Sequence, residues 1–428
     1  MSLSRRFLNL IVKESVPGVR SLRCLDLDLA LNELFYPPGT PPPPWMPMPS
    51  SMVDQIQLPS PALSFKASGV SCMPLSDRKV LCTDRCGDTF LFDADTRHVV
   101  TMPTVHKPKW KPVSIFVPGS GGGAGDPSLF LMERRPKQEG ARAGPQSDQF
   151  EAFVYRRSSK TSPSRSWHHR LLPPPPYLRD LRYRSIRSEI ISYAVVGGGS
   201  QICISVGGYS RSMDTKAAGT YCFDTARHTW SKAGEWTLPF RGKVEYVPEL
   251  NLWFGILGIG SSSTPVLGAA DLSTMADSEP SLVGAWDLEL DDWLESRRVA
   301  WGLELGETIK EWPPELQEAH LVHLGSGRFC VASSLHTRRI IRTCLGNELS
   351  FRRLSVFTGV ELTPRVHGFG ELQMVNKHKL SRCPALVDSK WSTSISCSSE
   401  DGDGLGELEM VRCNSKWLSD GTSIDAAF

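Results

Sequence analysis

The chain has 428 residues, with 48 Lys and Arg against 46 Asp and Glu, a net charge of +2 and 40% apolar residues. At roughly 150 residues per domain the length suggests about three domains, although β-propellers run longer as single units. With 36 Gly, 32 Pro and 22% charged residues, the composition excludes a collagen, a coiled coil, a wholly disordered chain and a small disulfide scaffold, and leaves enough apolar surface for a core.

In chain order, Arg5-Arg6 precede Phe7-Leu8-Asn9-Leu10-Ile11-Val12. This run is too short for a signal peptide, ends at Lys13-Glu14 and lacks a small-residue cleavage site. No segment approaches the roughly 18 apolar residues of a membrane helix. An intracellular protein, cytoplasmic or nuclear, is the expectation. Phe7–Asp28 reads as a strand pair. Tyr36–Pro49, with Pro41-Pro42-Pro43-Pro44-Trp45, reads as a polyproline connector. From Leu58 onward short apolar runs bounded by Gly, Pro, Asp and Ser predict strands. One strand-turn-strand copy is Lys79–Asp84, Thr89–Asp93, the turn Ala94–His98, then Val99. Gly119–Gly125 reads as a Gly/Ser linker rather than a phosphate cradle, because Asp126-Pro127 follows where a helix would have to begin. A vaguer copy spans Ser128–Trp167, with Phe153-Val154-Tyr155. A second four-proline run, within Leu172–Tyr177, reads as a stiff connector. The clearest copy is Ile202–Val206, Gly207-Gly208, Gly219–Asp224 and Trp230. Further copies are Leu252–Trp286 and Ala319–Val356. Helical periodicity is scarce; Leu290–Leu303 and Pro314–Leu324 are the best helical candidates. From Lys390 the chain is rich in Ser, Asp and Gly, which predicts a loose tail.

The Gly207-Gly208 pair, the Tyr221–Asp224 strand and Trp230 resemble one kelch repeat, a four-stranded propeller blade. The resemblance implies a sharp turn at the glycines, an Asp that accepts turn N–H groups, and a Trp between neighbouring blades. Asp93, Tyr155, Asp224 and Asp271 are separated by 62, 69 and 47 residues, against a kelch period near ~50, so insertions are implied. Arg5–Val12, Phe90-Leu91-Phe92-Asp93-Ala94-Asp95-Thr96, Trp236-Thr237-Leu238-Pro239-Phe240-Arg241-Gly242 and Gly359-Val360-Glu361-Leu362 resemble the domain of unknown function 1668 family over about residues 5–380. That family is a plant group expanded in grasses. The resemblance implies a plant source and a propeller-like fold, and brings no activity. The expected architecture is all-β, a kelch-like propeller of six blades over residues 58–380. Residues 1–57 supply a strand pair and a proline-rich connector that would close the ring with a C-terminal strand, and 381–428 form a loose tail.

The +2 is a cancellation: residues 1–215 hold 27 basic and 18 acidic side chains, and 216–428 hold 21 and 28. Solvated insertions of opposite sign account for this, since the basic residues form no stripe. Cysteine is 11 with no zinc-site spacing, and runs such as Ile202-Cys203-Ile204 predict buried free thiols. Phosphate-loop, nucleophile-elbow and metalloprotease motifs are absent from the sequence. His168-His169 on one strand would face opposite ways. His320 and His323 would share a helix face, with Glu315 or Glu318 nearby, yet a metal there needs more ligands. Trp286, Asp287, Glu289, Asp291, Asp292 and Trp293 read as a solvated acidic loop with inward tryptophans, and Trp110 between Lys107, Lys109 and Lys111 is too small a patch for nucleic acid. No catalytic, cofactor-binding or metal residue is assigned, and no cofactor is expected. The expected role is a non-enzymatic protein-interaction scaffold, with no membrane partner. The alternatives are a propeller enzyme acting on a carbohydrate or small molecule, and a ubiquitin-ligase adaptor, for which no F-box precedes the propeller. The insertions Gly119–Gln149 and Ser261–Pro280 are the loops where binding would reside.

Overall fold

The computed structural model describes residues 7–27, 58–119, 126–209, 219–258, 264–288, 307–364, 408–418 and 423–428, less gaps of one to five residues within these ranges. The first hairpin is β1 (Phe7–Lys13) with β2 (Val19–Asp26), and β3 (Leu63–Lys66) pairs β2. Antiparallel four-stranded meanders follow: β4 (Ser71–Ser76), β5 (Lys79–Thr83), β6 (Thr89–Asp93), β7 (His98–Met102); then β8 (Val113–Val117), β9 (Ser128–Met132), β10 (Ser147–Arg157), β11 (Arg165–Leu172). Next come β12 (Arg187–Val196), β13 (Gln201–Tyr209), β14 (Gly219–Asp224) and β15 (Thr229–Gly234), then β16 (Phe240–Val247), β17 (Leu252–Leu257), β18 (Val266–Ala270) and β19 (Leu282–Asp287). These two groups join into one eight-stranded sheet through a parallel β12–β16 pairing, Ser192 opposite Gly242 to Ala194 opposite Val244. The next sheet contains β20 (Glu307–Glu311), β21 (Glu315–Gly325), β22 (Arg328–Thr343), β23 (Gly346–Pro364) and β24 (Leu408–Trp417). Finally β25 (Ser423–Ala427) pairs β1, so the first sheet runs β25-β1-β2-β3.

Why the sheets stack is read from burial. β17 and β18 are buried at every position, as strands covered on both faces must be. Each apolar cluster lies between two neighbouring sheets or sheet halves. Ile11 and Leu22 pack with Val80 and Phe92. Leu81 packs with Leu129 and Phe153, and Phe130 and Phe150 pack with Ile202 and Phe223. Cys203 lies with Phe240 and Trp253, and Phe254 with Phe329 and Val331. The last cluster, Val322 and Phe357 with Leu8 and Leu10, returns to the first sheet. The fold is all-β and propeller-like: the sheets follow one another in a ring, and the last packs back on the first. Among the described residues no helix is long and apolar enough to cross a membrane.

The turn chemistry follows the sequence. Asp224 Oδ1 accepts the N–H groups of Ala226 (2.9 Å) and Arg227 (2.7 Å), and Asp93 Oδ1 accepts those of Asp95 (3.0 Å) and Thr96 (3.3 Å). The Arg227 and Ala226 N–H groups hold the Asp224 carboxyl below its usual range. Asp224→Ala is expected to cost about 1 kcal/mol, read as a lower urea midpoint at unchanged m-value. Trp230 bridges two sheets: its ring lies 5.0 Å from Phe223 and 5.5 Å from Phe150, and Nε1 donates to Pro173 O (2.9 Å).

Several expectations are corrected. Pro314–Leu324 is not helical: from Glu315 it is β21, fixed by its register on β22. Ser261–Pro280 is not simply a loop, because it contains the buried strand β18. The described part of the expected loose tail, β24 and β25, is paired strand, since β23 and β1 offer it backbone partners. Gly207-Gly208 lies inside β13, not in a turn. The glycine that needs a special backbone is Gly219, with φ +94° and a Cβ position 2.3 Å from Gly234 O. Cys203 and Cys222, opposite each other on β13 and β14, form a disulfide rather than free thiols. Cys82 and Cys330 are buried free thiols, and burial pushes Cys330 up to about 12. The four-proline run packs as a connector, ending in a single turn of 3₁₀-helix that buries Tyr177 and Leu178. Leu290–Leu303 and Tyr36–Pro49 lie outside the described residues, as does most of Gly119–Gly125.

Candidate binding site in the central channel

The strands at one end of each antiparallel group, β25, β4, β8, β12, β16 and β21, face a common cavity of about 1190 Å³. Alternation decides what they show it. On β12 buried and partly exposed positions alternate strictly, which turns Tyr193 and Val195 to the opposite side from Ser192 and Ala194. Among the described residues the cavity is lined by ten Lys and Arg and four Asp and Glu. Part of this charge is internally matched. Asp425 pairs with Lys13 (3.1 Å) and Arg20 (2.5 Å), Arg78 with Asp95 (2.8 Å), Arg135 with Glu189 (2.8 Å), and Lys243 with Glu245 (2.5 Å). Lys111, Arg134, Arg241 and Arg353 have no carboxylate at ion-pair distance among the described residues, and Glu318 has no cation there. The cavity therefore carries a positive excess, and its walls exclude part of the water that would screen it.

Tyr193 of β12 and His320 of β21 lie in the same cavity. Burial pushes the Tyr193 phenol up, against the opposing pull of Arg134 and Lys243. Burial also pulls the His320 imidazole down; Glu318 opposes this and Arg134 adds to it. Its Nε2 is sealed from solvent with no hydrogen-bond partner among the described residues. Such an orphan is costly in a folded core and rare without a reason.

Trp110 stands at the rim, 55% exposed. The Arg135 guanidinium lies 5.1 Å and the Lys111 ammonium 5.5 Å from its ring centre, within cation–π range. The connector that carries it is held from beneath. Glu151 of β10, wholly buried, accepts the N–H groups of His106 (2.8 Å) and Lys107 (3.4 Å), the ammonium of Lys109, and His169 Nε2 (2.5 Å). Glu133 accepts the Trp110 N–H (3.2 Å).

The candidate residues separate accordingly. The Trp110 patch is not a row of three lysines. Lys109 is buried on Glu151 and Lys107 pairs with Asp148 (3.3 Å), so only Lys111 flanks the ring, joined by Arg135 from a distant segment. His168 and His169 face opposite ways, to Ser166 and to Glu151. His320 and His323 do not share a face, because they stand on a strand: His320 faces the channel, and His323 meets Glu249 (2.8 Å) and Phe329. Trp286 packs on Phe254, while Glu289, Asp291, Asp292 and Trp293 lie outside the described residues. Tyr193, Arg134, Arg241 and Arg353 carry no local motif; the alternation on β12 is the one signal that sets Tyr193 apart from its buried neighbours.

Antiparallel sheets ringed around a charged cavity define a propeller-like protein. The chain matches the model of the family described as "Protein of unknown function (DUF1668)" over residues 5–383, and it belongs to that family. No curated protein matches it. Among solved structures it is similar to the hydrazine synthase of Kuenenia stuttgartiensis, with 10% identity, 73% of this chain and 79% of that one covered, and a TM-score of 0.32. It is also similar to two proteins of Bacteroides thetaiotaomicron. One is a structural-genomics protein of unknown function, with 12% identity, 70% and 60% covered, and a TM-score of 0.30. The other is an auxiliary nutrient binding protein, with 10% identity, 66% and 56% covered, and a TM-score of 0.27. Likeness this faint carries no argument, and the fold reading rests on the sheets and clusters described above.

Proposed function

We propose that the chain is a non-enzymatic protein-interaction scaffold, a propeller of six blades whose partner docks at the channel rim. Six blades follow from taking the two halves of the eight-stranded sheet as one blade each. The observation that carries the reading is Trp110, an exposed tryptophan framed by Lys111 and Arg135 on a connector fixed by Glu151. Interface hot spots favour such aromatic and arginine anchors, pre-organised so that little ordering is needed on binding. The basic frame suits a partner that presents acidic side chains. The test is quantitative affinity purification from the source tissue with the intact chain and with Trp110→Ala. Partners reproducibly held by the intact chain are expected to fall at least tenfold with Trp110→Ala. An identical partner set, or none above background, counts against the reading.

A second reading, an enzyme acting on a small molecule, is favoured by the shared position of Tyr193, Glu318 and His320 on the channel wall. Geometry of this kind offers a proton donor and acceptor. Turnover abolished by Glu318→Gln in a screen of glycoside and ester substrates would support it.

A further inference from the structure

The channel holds more positive charge than its own carboxylates match, and the excess is not spread evenly. Arg134 reaches the cavity beside Lys111, whose carbonyl its Nε approaches at 3.4 Å. Arg241 and Lys243 project from β16, and Tyr193 stands opposite Lys243 in the parallel pairing. β21 is tied to β16 by the His323 N–H on Glu245 (3.0 Å) and brings His320 and Glu318 to the same wall. Two guanidiniums without carboxylate partners among the described residues, a phenol and a half-buried imidazole with an unsatisfied nitrogen thus line one cavity.

We propose that the channel between β12, β16 and β21 binds the phosphate group of a small organic phosphate, with Arg134 and Arg241 as its cations and Tyr193 and His320 completing the donor set. The number of the donors favours phosphate over carboxylate. One planar guanidinium satisfies both oxygens of a carboxylate, whereas a tetrahedral phosphate takes bonds from several directions. The Nε2 of His320, sealed in the empty cavity, gains its missing partner once a rotation of the ring turns it to the phosphate, and a neighbouring dianion favours the protonated imidazole. Glu318, two residues before His320 on β21, repels phosphate, and its carboxylate would accept a hydroxyl of the organic part. Lys243 stays on Glu245 and Asp425 on Lys13 and Arg20, so neither is needed as a ligand. This site opens into the same cavity as the Trp110 anchor, with Arg134 next to Lys111, but it does not depend on a macromolecular partner.

The experiment is isothermal titration of the full chain with inorganic phosphate and with glycerol 3-phosphate, at ionic strength held constant with sodium chloride. Saturable binding at about 1 mM or tighter is expected, with glycerol 3-phosphate the tighter of the two. Arg134→Ala and Arg241→Ala are each expected to weaken both probes at least tenfold, and His320→Gln and Tyr193→Phe several-fold. Glu318→Gln is expected to weaken glycerol 3-phosphate while sparing or improving phosphate. Arg227→Ala, at an exposed turn outside the cavity, is expected to stay within twofold. Circular dichroism confirms that each variant is folded. No saturable heat with either probe, binding retained when Arg134 and Arg241 are both replaced, or an equal loss in Arg227→Ala overturns the proposal.

Discussion

Glu151→Gln is expected to destabilise the protein by about 3–5 kcal/mol, because it leaves the buried Lys109 ammonium without its counter-charge. Both side chains are almost sealed from water, 3% exposed for Lys109 and 0% for Glu151. The glutamine keeps the volume but offers one acceptor oxygen where the carboxylate serves two backbone N–H groups, Lys109 and His169. Against a whole-protein stability of roughly 5–15 kcal/mol, this is a large fraction, and a chemical melt reads it directly. Burial opposes the charge on Glu151, but the hydrogen bond from His169 and the charge of Lys109 outweigh it and hold the carboxyl below its usual range. A carboxyl held low in the folded state binds its proton more weakly there than in the unfolded chain. Its contribution is therefore complete above the ordinary carboxyl range and is lost as pH falls below it. Wild-type stability is expected to decline in that acidic window with a steeper slope than that of Glu151→Gln.

Deleting residues 423–428 is expected to abolish the native fold. β25 covers the free edge of β1, and the Asn9 and Phe428 backbones exchange two further hydrogen bonds, 2.9 and 3.0 Å. Ile424 and Phe428 enter two different apolar clusters, each formed between the first sheet and one of its neighbours. Losing two buried side chains at about 1.5–3 kcal/mol each, with an opened sheet edge and the Asp425 ion pairs to Lys13 and Arg20 removed, approaches the whole stability. Loss of near-ultraviolet dichroism and aggregation on size exclusion are the expected readouts. Phe428→Ala is the graded version, expected to lower stability by about 3 kcal/mol while remaining folded. A truncated chain with native dichroism and an unchanged melt would show that β25 is dispensable.

How much of this was legible depends on how local each signal is. The turn aspartates were readable because Asp224 and Asp93 bond to N–H groups two and three residues on. Trp230 was readable as a wedge between sheets from the strand that precedes it. β21 misled because Leu316, Ala319, His320 and Leu324 satisfy a helical spacing as well as a strand, and only the pairing with β22 decides between them. β25 misled because Ser423-Ile424-Asp425-Ala426-Ala427 has almost no strand propensity; β1 imposes the conformation from more than 400 residues away. The channel was the least legible part. Arg134, Arg241 and Arg353 are about a hundred residues apart in sequence, and only closure of the ring makes them neighbours. Glu151, between Phe150 and Ala152, gives no sign that a charge belongs inside.

The parallel pairing of β12 with β16 makes the cavity mechanically lopsided. Backbone hydrogen bonds run without a break from β15 to β19, so this stretch of the ring resists being pried apart, whereas the other junctions rest on side-chain packing and single hydrogen bonds such as Ile190 N–H to Arg134 O (2.9 Å). Tyr193 and Lys243 sit on that stiff splice. Arg353 reaches the cavity from outside it, whereas Arg134 is tied to it through its carbonyl, which accepts the Ile190 N–H of β12 (2.9 Å). Breathing of the ring would therefore move Arg353, and not Arg134, relative to that wall, and the aperture of the channel would be set on one side only.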